Sequence, residues 1–141
     1  MAAIPPSVKI TRLDYPSEVA VKVRRPIRVW IHNESRLFPI ATEFRPLLYY
    51  WSPMARRWLT KGYGDIVSGR PYCFTMGWEF SAWSDRVETV RYKIEAVCRN
   101  APAGLPDWIT TDSRTFTIRY VEKAPPPPRP WWWPPWLPWP G

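Results

Sequence analysis

The supply of catalytic side chains in this 141-residue chain is thin, and His32 is its only histidine. A Ser or Cys nucleophile needs a base held beside it and an acid to orient that base. Nothing near His32 in the sequence provides either, and one imidazole makes no metal cluster. The carboxylate pairs Asp85/Glu88 and Asp107/Asp112 have the residue types for general acid–base work, but they sit in turn-like stretches and read as solvated loop residues. Cys73 and Cys98 are the only cysteines, with no C-x-x-C or Cys/His metal spacing between them. A Gly-rich phosphate loop and a G-x-S-x-G elbow are both missing from the sequence. The expectation is a protein with no catalytic residues, no metal and no cofactor.

The residues suited to recognition are conspicuous by contrast. Residues 125–140 hold nine of the 19 Pro and five of the 11 Trp. Proline fixes φ and donates no amide hydrogen, so this segment cannot enter a sheet interior or a helix. Polyproline II is its natural form, and 17 residues at ~3.1 Å each would reach roughly 50 Å. Indoles left in water would cost solubility and invite aggregation, whereas buried Trp anchors interfaces. Arg129, Trp131, Trp132, Trp133, Trp136, Leu137 and Trp139 are therefore the expected partner-binding residues. Three fates compete for the tail: docking on another subunit, insertion at a membrane interface, where Trp is favoured, or folding back on its own domain. The 125–130 stretch by itself resembles ligands of SH3, WW or EVH1 modules, but the Trp run exceeds what such grooves need.

Net charge is +8, from 20 basic and 12 acidic residues. The basic residues are spread out, and only 24–28 and 56–57 cluster, short of a nucleic-acid-binding run. Nucleic acid is thus an unfavoured partner. The chain has no Gln and only two Asn, and this depletion of thermolabile amides beside abundant Pro is a thermophile trait. The start of the chain lacks a charged segment followed by an apolar one, so no secretory signal is expected. With no run of ~18 apolar residues, no membrane-spanning helix is expected either.

The elements that must carry these residues read as strands. Residues 8–13 alternate apolar and polar side chains, and 14–17 is a turn signal. The stretch 19–23 is short and β-branched. In 27–32, Ile27, Val29 and Ile31 share one face, with Arg28, Trp30 and His32 on the other. Residues 42–51 predict a strand in which Pro46 forces an edge position or a bulge. Further strands are expected at 57–61, 72–80, 90–98 and 115–121. In 72–80, Tyr72, Phe74, Met76, Trp78 and Phe80 share a face. No helical 3,4 spacing persists over three turns.

Seven or eight short strands separated by turns argue an all-β antiparallel sandwich. The pattern from Val8-Lys9-Ile10 through Ile27–Asn33 to the strand around 90–99 resembles an immunoglobulin-like module in the style of CARDB or fibronectin type III domains. The resemblance spans 8–121, at the level of the fold. It implies roles in adhesion, filament assembly or virion architecture, and rarely catalysis. Unlike antibody domains, strand 27–32 carries no cysteine. Cys98 falls on the apolar face of its strand and Cys73 on the polar face of its own, which disfavours a 73–98 disulfide; a bulge near Pro71 would reverse that. Asn33-Glu34-Ser35 is a glycosylation triplet. Trp30, Tyr49, Tyr50 and Trp51 are candidate interface aromatics, unless the core or the tail covers them.

The expected organisation is an N-terminal arm (1–7), an immunoglobulin-like sandwich (8–123) and an extended polyproline-type tail (124–141). The expected role is a structural subunit of a virion (capsid or decoration) or a surface filament. Its tail would dock on other copies or on another structural protein of the assembly. A membrane-associated protein using the tail at a lipid surface is the alternative, and an adaptor bound through its Pro-rich motif is a third. The expected location is the virion or an extracellular surface assembly, with the cytoplasm as the alternative.

Overall fold

The structure, a computed structural model, describes residues 6–35, 42–69, 75–100, 108–122 and 129–138, with Asn100 described by its backbone only. Nine strands run through the described residues: β1 (Val8–Asp14), β2 (Glu18–Ala20), β3 (Arg25–Asn33), β4 (Thr42–Ser52), β5 (Arg57–Tyr63), β6 (Val67–Gly69), β7 (Thr75–Ala82), β8 (Glu88–Asn100) and β9 (Ile109–Val121). They build a three-stranded sheet ordered β1-β3-β7 and a six-stranded sheet ordered β2-β9-β8-β4-β5, with β6 also paired to β4.

Period-two patterning drives the two sheets together. Ile27, Val29 and Ile31 of β3 are fully buried, as are Tyr92, Ile94, Ala96 and Cys98 of β8 and Ile118 and Tyr120 of β9. Phe44 and Leu48 of β4 join them, and Met76, Trp78 and Phe80 of β7 pack against this core from the opposite sheet. Each large side chain so buried contributes ~1.5–3 kcal/mol of transfer free energy. The two core tyrosines satisfy one another, their hydroxyls lying 2.5 Å apart.

The all-β sandwich follows the sequence expectation, with local departures. β6 is an additional strand too short to show a period. β2 pairs parallel to β9, with Val19 opposite Tyr120, so the sandwich is not wholly antiparallel. The chain leaves β1 through Tyr15–Ser17, lies along the edge of the other sheet, and then returns to β3. Pro46 is not at an edge, because β4 runs between β8 and the β5/β6 pair. Its carbonyl accepts the Gly64 N–H at 2.9 Å, so its missing N–H points the same way, into the break between β5 and β6. The bulge falls nearby, between Leu48 and Tyr49.

Gly64 is required at that break. A Cβ there would stand 2.8 Å from the Pro46 ring and would meet the Trp78 indole. Trp78 closes the join by donating its indole N–H to the Asp65 carbonyl at 3.1 Å. Along the outer edge of β1, β9 supplies side chains in place of a strand. Ile10 donates its N–H to Asp112 Oδ2 at 2.9 Å and Val8 donates to Thr111 Oγ1 at 3.1 Å, while the Thr111 hydroxyl donates to the Val8 carbonyl. Asp112, expected as a solvated loop residue, is thus a strand cap. Its former companion Asp107 lies outside the described residues.

Candidate interaction surfaces

Alternation that sends one set of residues into the core sends the other set outward. On the outer face of the six-stranded sheet this second set is aromatic and cationic. Tyr49 lies opposite Lys93 on β8 and Thr60 on β5, and Trp51 lies opposite Trp58. The Trp51 and Trp58 rings meet edge to face, with centroids 5.5 Å apart. Lys93 Nζ sits 5.2 Å from the Tyr49 ring centre and 4.8 Å from that of Trp58. The Arg91 guanidinium approaches the other side of the row, 5.7 Å from Trp58.

The pattern repeats at the far end of the face. Arg45 lies 5.3 Å from the Tyr63 ring and 5.0 Å from that of Trp108, and Arg99 lies 4.3 Å from Trp108. Two ion pairs thread between the rings, Lys93–Glu95 and Arg99–Glu43, both at 3.4 Å. The Nε atoms of Arg45 and Arg99 are buried without an acceptor. Burial raises the Tyr49 pKa, and the nearby Glu95 carboxylate pushes the same way against Arg45. The phenol therefore stays protonated and able to donate. The face is an array of rings and cations, rich in hydrogen-bond donors.

The four aromatics expected at an interface divide among three places. Tyr49 and Trp51 belong to this face. Tyr50 does not, because its ring packs inward against the core. Trp30 lies on the outer face of the three-stranded sheet, opposite Gly77 and half-buried, with the Arg12 guanidinium 4.9 Å from its ring. Trp58, Tyr63 and Trp108 were not anticipated as members of the face. The alternation of Trp58 and Thr60 was a signal for the first; Trp108 precedes β9 and carries none.

The tail supplies the second surface. Residues 129–138 do not extend as polyproline. Trp133 N–H donates to the Pro130 carbonyl at 3.0 Å and Leu137 N–H to the Pro134 carbonyl at 3.1 Å, giving two successive turns. Trp133 and Leu137 have the amide hydrogen that proline lacks, each three residues after a Pro, and Pro135 holds the favoured second position of its turn. The Arg129 guanidinium donates to the Pro134 carbonyl and, at 3.0 Å, to that of Leu137. The Trp133 indole N–H donates to the same Leu137 carbonyl at 2.9 Å. Arg129, expected to contact a partner, is thus used inside the tail, and Trp133 and Leu137 are half-buried. Trp131, Trp132 and Trp136 stand 94%, 63% and 79% exposed. Trp139 lies outside the described residues.

The other expectations separate cleanly. Asn33 is fully buried, donating to the Gly69 carbonyl and accepting from the Ser35 N–H. It cannot be a glycan acceptor in the folded protein; the triplet specified a buried turn. Cys98 is a free, buried thiol whose pKa burial pushes up to about 11, and Cys73 lies outside the described residues. His32 Nδ1 is 2.9 Å from the Thr75 hydroxyl. Among the described residues no three His, Cys, Asp or Glu gather in a way that could hold a metal ion. A cleft of about 300 Å³ on the open side of the sandwich is lined by Arg24, Leu48, Lys61, Phe80, Ser81 and Trp83, without a carboxylate.

No family model matches the chain, and no curated protein matches it. Solved structures do. A CARDB domain from Pyrococcus furiosus, determined in complex with di-metal ions, superposes with a TM-score of 0.58 at 14% identity, covering 87% of this chain and 100% of that one. The fold is immunoglobulin-like. A PapD-like domain of human CEP192 has a TM-score of 0.50 at 6% identity, with 88% of this chain and 92% of that one covered. An immunoglobulin-like sandwich explains the two unequal sheets and the strand that lies first with one sheet and then with the other. At these identities the likeness is one of fold.

Proposed function

We propose that this immunoglobulin-like protein is a non-enzymatic assembly module, a structural subunit that ties to its neighbours through the Pro/Trp tail. A virion or a surface filament is the setting that suits it. The observation that carries the reading is the tail itself: three indoles exposed on a unit whose own turns and Arg129 hold it in shape. Preorganised indoles lose little conformational entropy on docking and bury large apolar area. The sandwich has a core of its own, since every residue of its buried cluster lies between Val8 and Tyr120.

The test is sedimentation of the full chain beside a variant with Trp131, Trp132 and Trp136 changed to Ser, and beside a chain ending at Lys123. The full chain should associate and the other two should run as folded monomers. Equal association in all three would dispose of the tail as a tie. A second reading rests on the same exposed indoles, which suit a lipid interface. It requires the wild-type chain, and not the triple variant, to float with phosphatidylcholine vesicles.

A further inference from the structure

Granting that the tail is the tie, we infer that its receptor is the outer face of the six-stranded sheet on a second copy of this chain, in the row from Trp51 and Trp58 to Trp108. The argument begins with what the tail lacks. Nine of the sixteen residues 125–140 are Pro, so the segment presents sixteen carbonyls and only seven backbone N–H groups. A surface that binds it must supply donors and flat apolar rings. This is the chemistry by which Pro-rich segments are held in aromatic grooves.

The face meets both needs. Its donors are the indole N–H groups of Trp51, Trp58 and Trp108, the protonated Tyr49 phenol and the side chains of Arg45, Arg91, Lys93 and Arg99. The cations stand 4.3–5.7 Å from the ring centres, so ring and cation surfaces alternate along the face and offer places for a Pro ring or an indole to rest. Glu43 and Glu95 are already engaged with Arg99 and Lys93, which keeps acceptors from competing for the tail's few donors.

Size agrees, and the tail's charge is small. From Arg45 to Trp51 along β4 is about 20 Å at ~3.3 Å per residue, room enough for the tail's two successive turns, each ~7 Å or less from end to end. Arg129 is the only charged side chain in 125–140. Its guanidinium keeps its positive charge but is held by the tail's own carbonyls, so the tail brings a single charge, fixed within itself, to the face. A tail on one copy and a face on the next make a head-to-tail contact, which propagates or closes into a ring.

Complementation tests this. A face variant, Trp58→Ala, keeps the tail; the triple tail variant keeps the face. Arg91→Glu, at an exposed position of the same face, serves where Trp58→Ala fails to fold. Each variant should by itself associate about tenfold or more weakly than wild type, the effect of losing one hot-spot side chain. An equimolar mixture of the two should recover dimers, joined by the one intact tail and the one intact face. If the face variants associate like wild type while the tail variant does not, the receptor lies elsewhere and the tail still ties. If the tail variant also associates like wild type, the tail reading falls and takes this inference with it. Loss in both without recovery on mixing overturns pairing between copies. A fluorescent oligothymidylate that sediments with the tail variant but not with the face variants would assign the face to a polyanion instead.

Discussion

The two outward faces of this sandwich are made by the same rule and differ in how they treat charge. On the three-stranded sheet, Arg28 pairs with Glu79 at 3.3 Å, with the side chains 53% and 60% exposed. On the six-stranded sheet, Lys93 and Glu95 pair at a similar distance but are only 22% and 18% exposed, because rings crowd them. The first has one cation over a ring, Arg12 on Trp30, and is otherwise a solvated surface whose ion pairs are worth little. The second holds cations against aromatics, where partial desolvation strengthens each contact. Strand alternation alone therefore does not tell a solvated face from a partly desolvated one; the neighbours of each charge do.

The comparison breaks down most completely if the shared core is damaged. Phe44→Ala empties a fully buried site between the sheets and should cost ~3–5 kcal/mol, read as a lower urea midpoint, with both faces lost together. Alkali attacks the same core. Burial raises the pKa values of Cys98, Tyr92 and Tyr120, the Tyr92–Tyr120 hydrogen bond adding to the rise at Tyr92. For groups that titrate upward from their unfolded values, the stabilisation is complete below the unfolded pKa, near 9 for the thiol, and fades as pH climbs through about 11. Thermal midpoints should stay level to pH 8.5 and fall steeply beyond, and Cys98 should resist iodoacetamide at pH 8 until the chain unfolds.

Two glycines sharpen the contrast at intermediate cost. At Gly64 an added methyl meets the Pro46 ring and the Trp78 indole, both fixed, so Gly64→Ala should destabilise by ~1–3 kcal/mol. At Gly77 the methyl meets the Trp30 Nε1 atom at 2.9 Å on an outer face. That indole has room to shift, and Gly77→Ala should cost less in the same denaturant titration. The smallest effect belongs to Arg28→Ala, under ~1 kcal/mol and erased by salt. With it goes a prediction about association: Trp30→Ala should leave sedimentation unchanged, since Trp30 lies on the solvated face.

Much of this was legible in the residues. The alternations at 27–32, 90–98 and 115–121 name the inner faces correctly, and the tail announces itself by composition. The rest depends on which strand neighbours which. Tyr49 and Trp51 could be read as outward only to within a register, and the bulge between Leu48 and Tyr49 decides which β5 residues join them. Trp108 reaches Arg45 and Arg99 through pairings far apart in sequence. Asn33 fits a surface motif letter by letter, yet Gly69, 36 residues on, seals it inside. The turns at 130–137 were hidden by the proline count, which obscured two amides placed where they could close.

The parallel pairing of β2 with the end of β9 has a mechanical consequence. Glu18–Ala20 lie against Arg119–Val121, the last residues before the tail, and Val21 N–H donates to the Val121 carbonyl at 2.8 Å. If neighbouring subunits pull on one another through their tails, tension enters the sandwich at this point. It meets β9 held on one side by β2 and along its whole length by β8. A load along the strand must shear these rows together, where a peeling load would open them one bond at a time. The short strand acts as a stitch at the end of the seam, placed where tearing would begin.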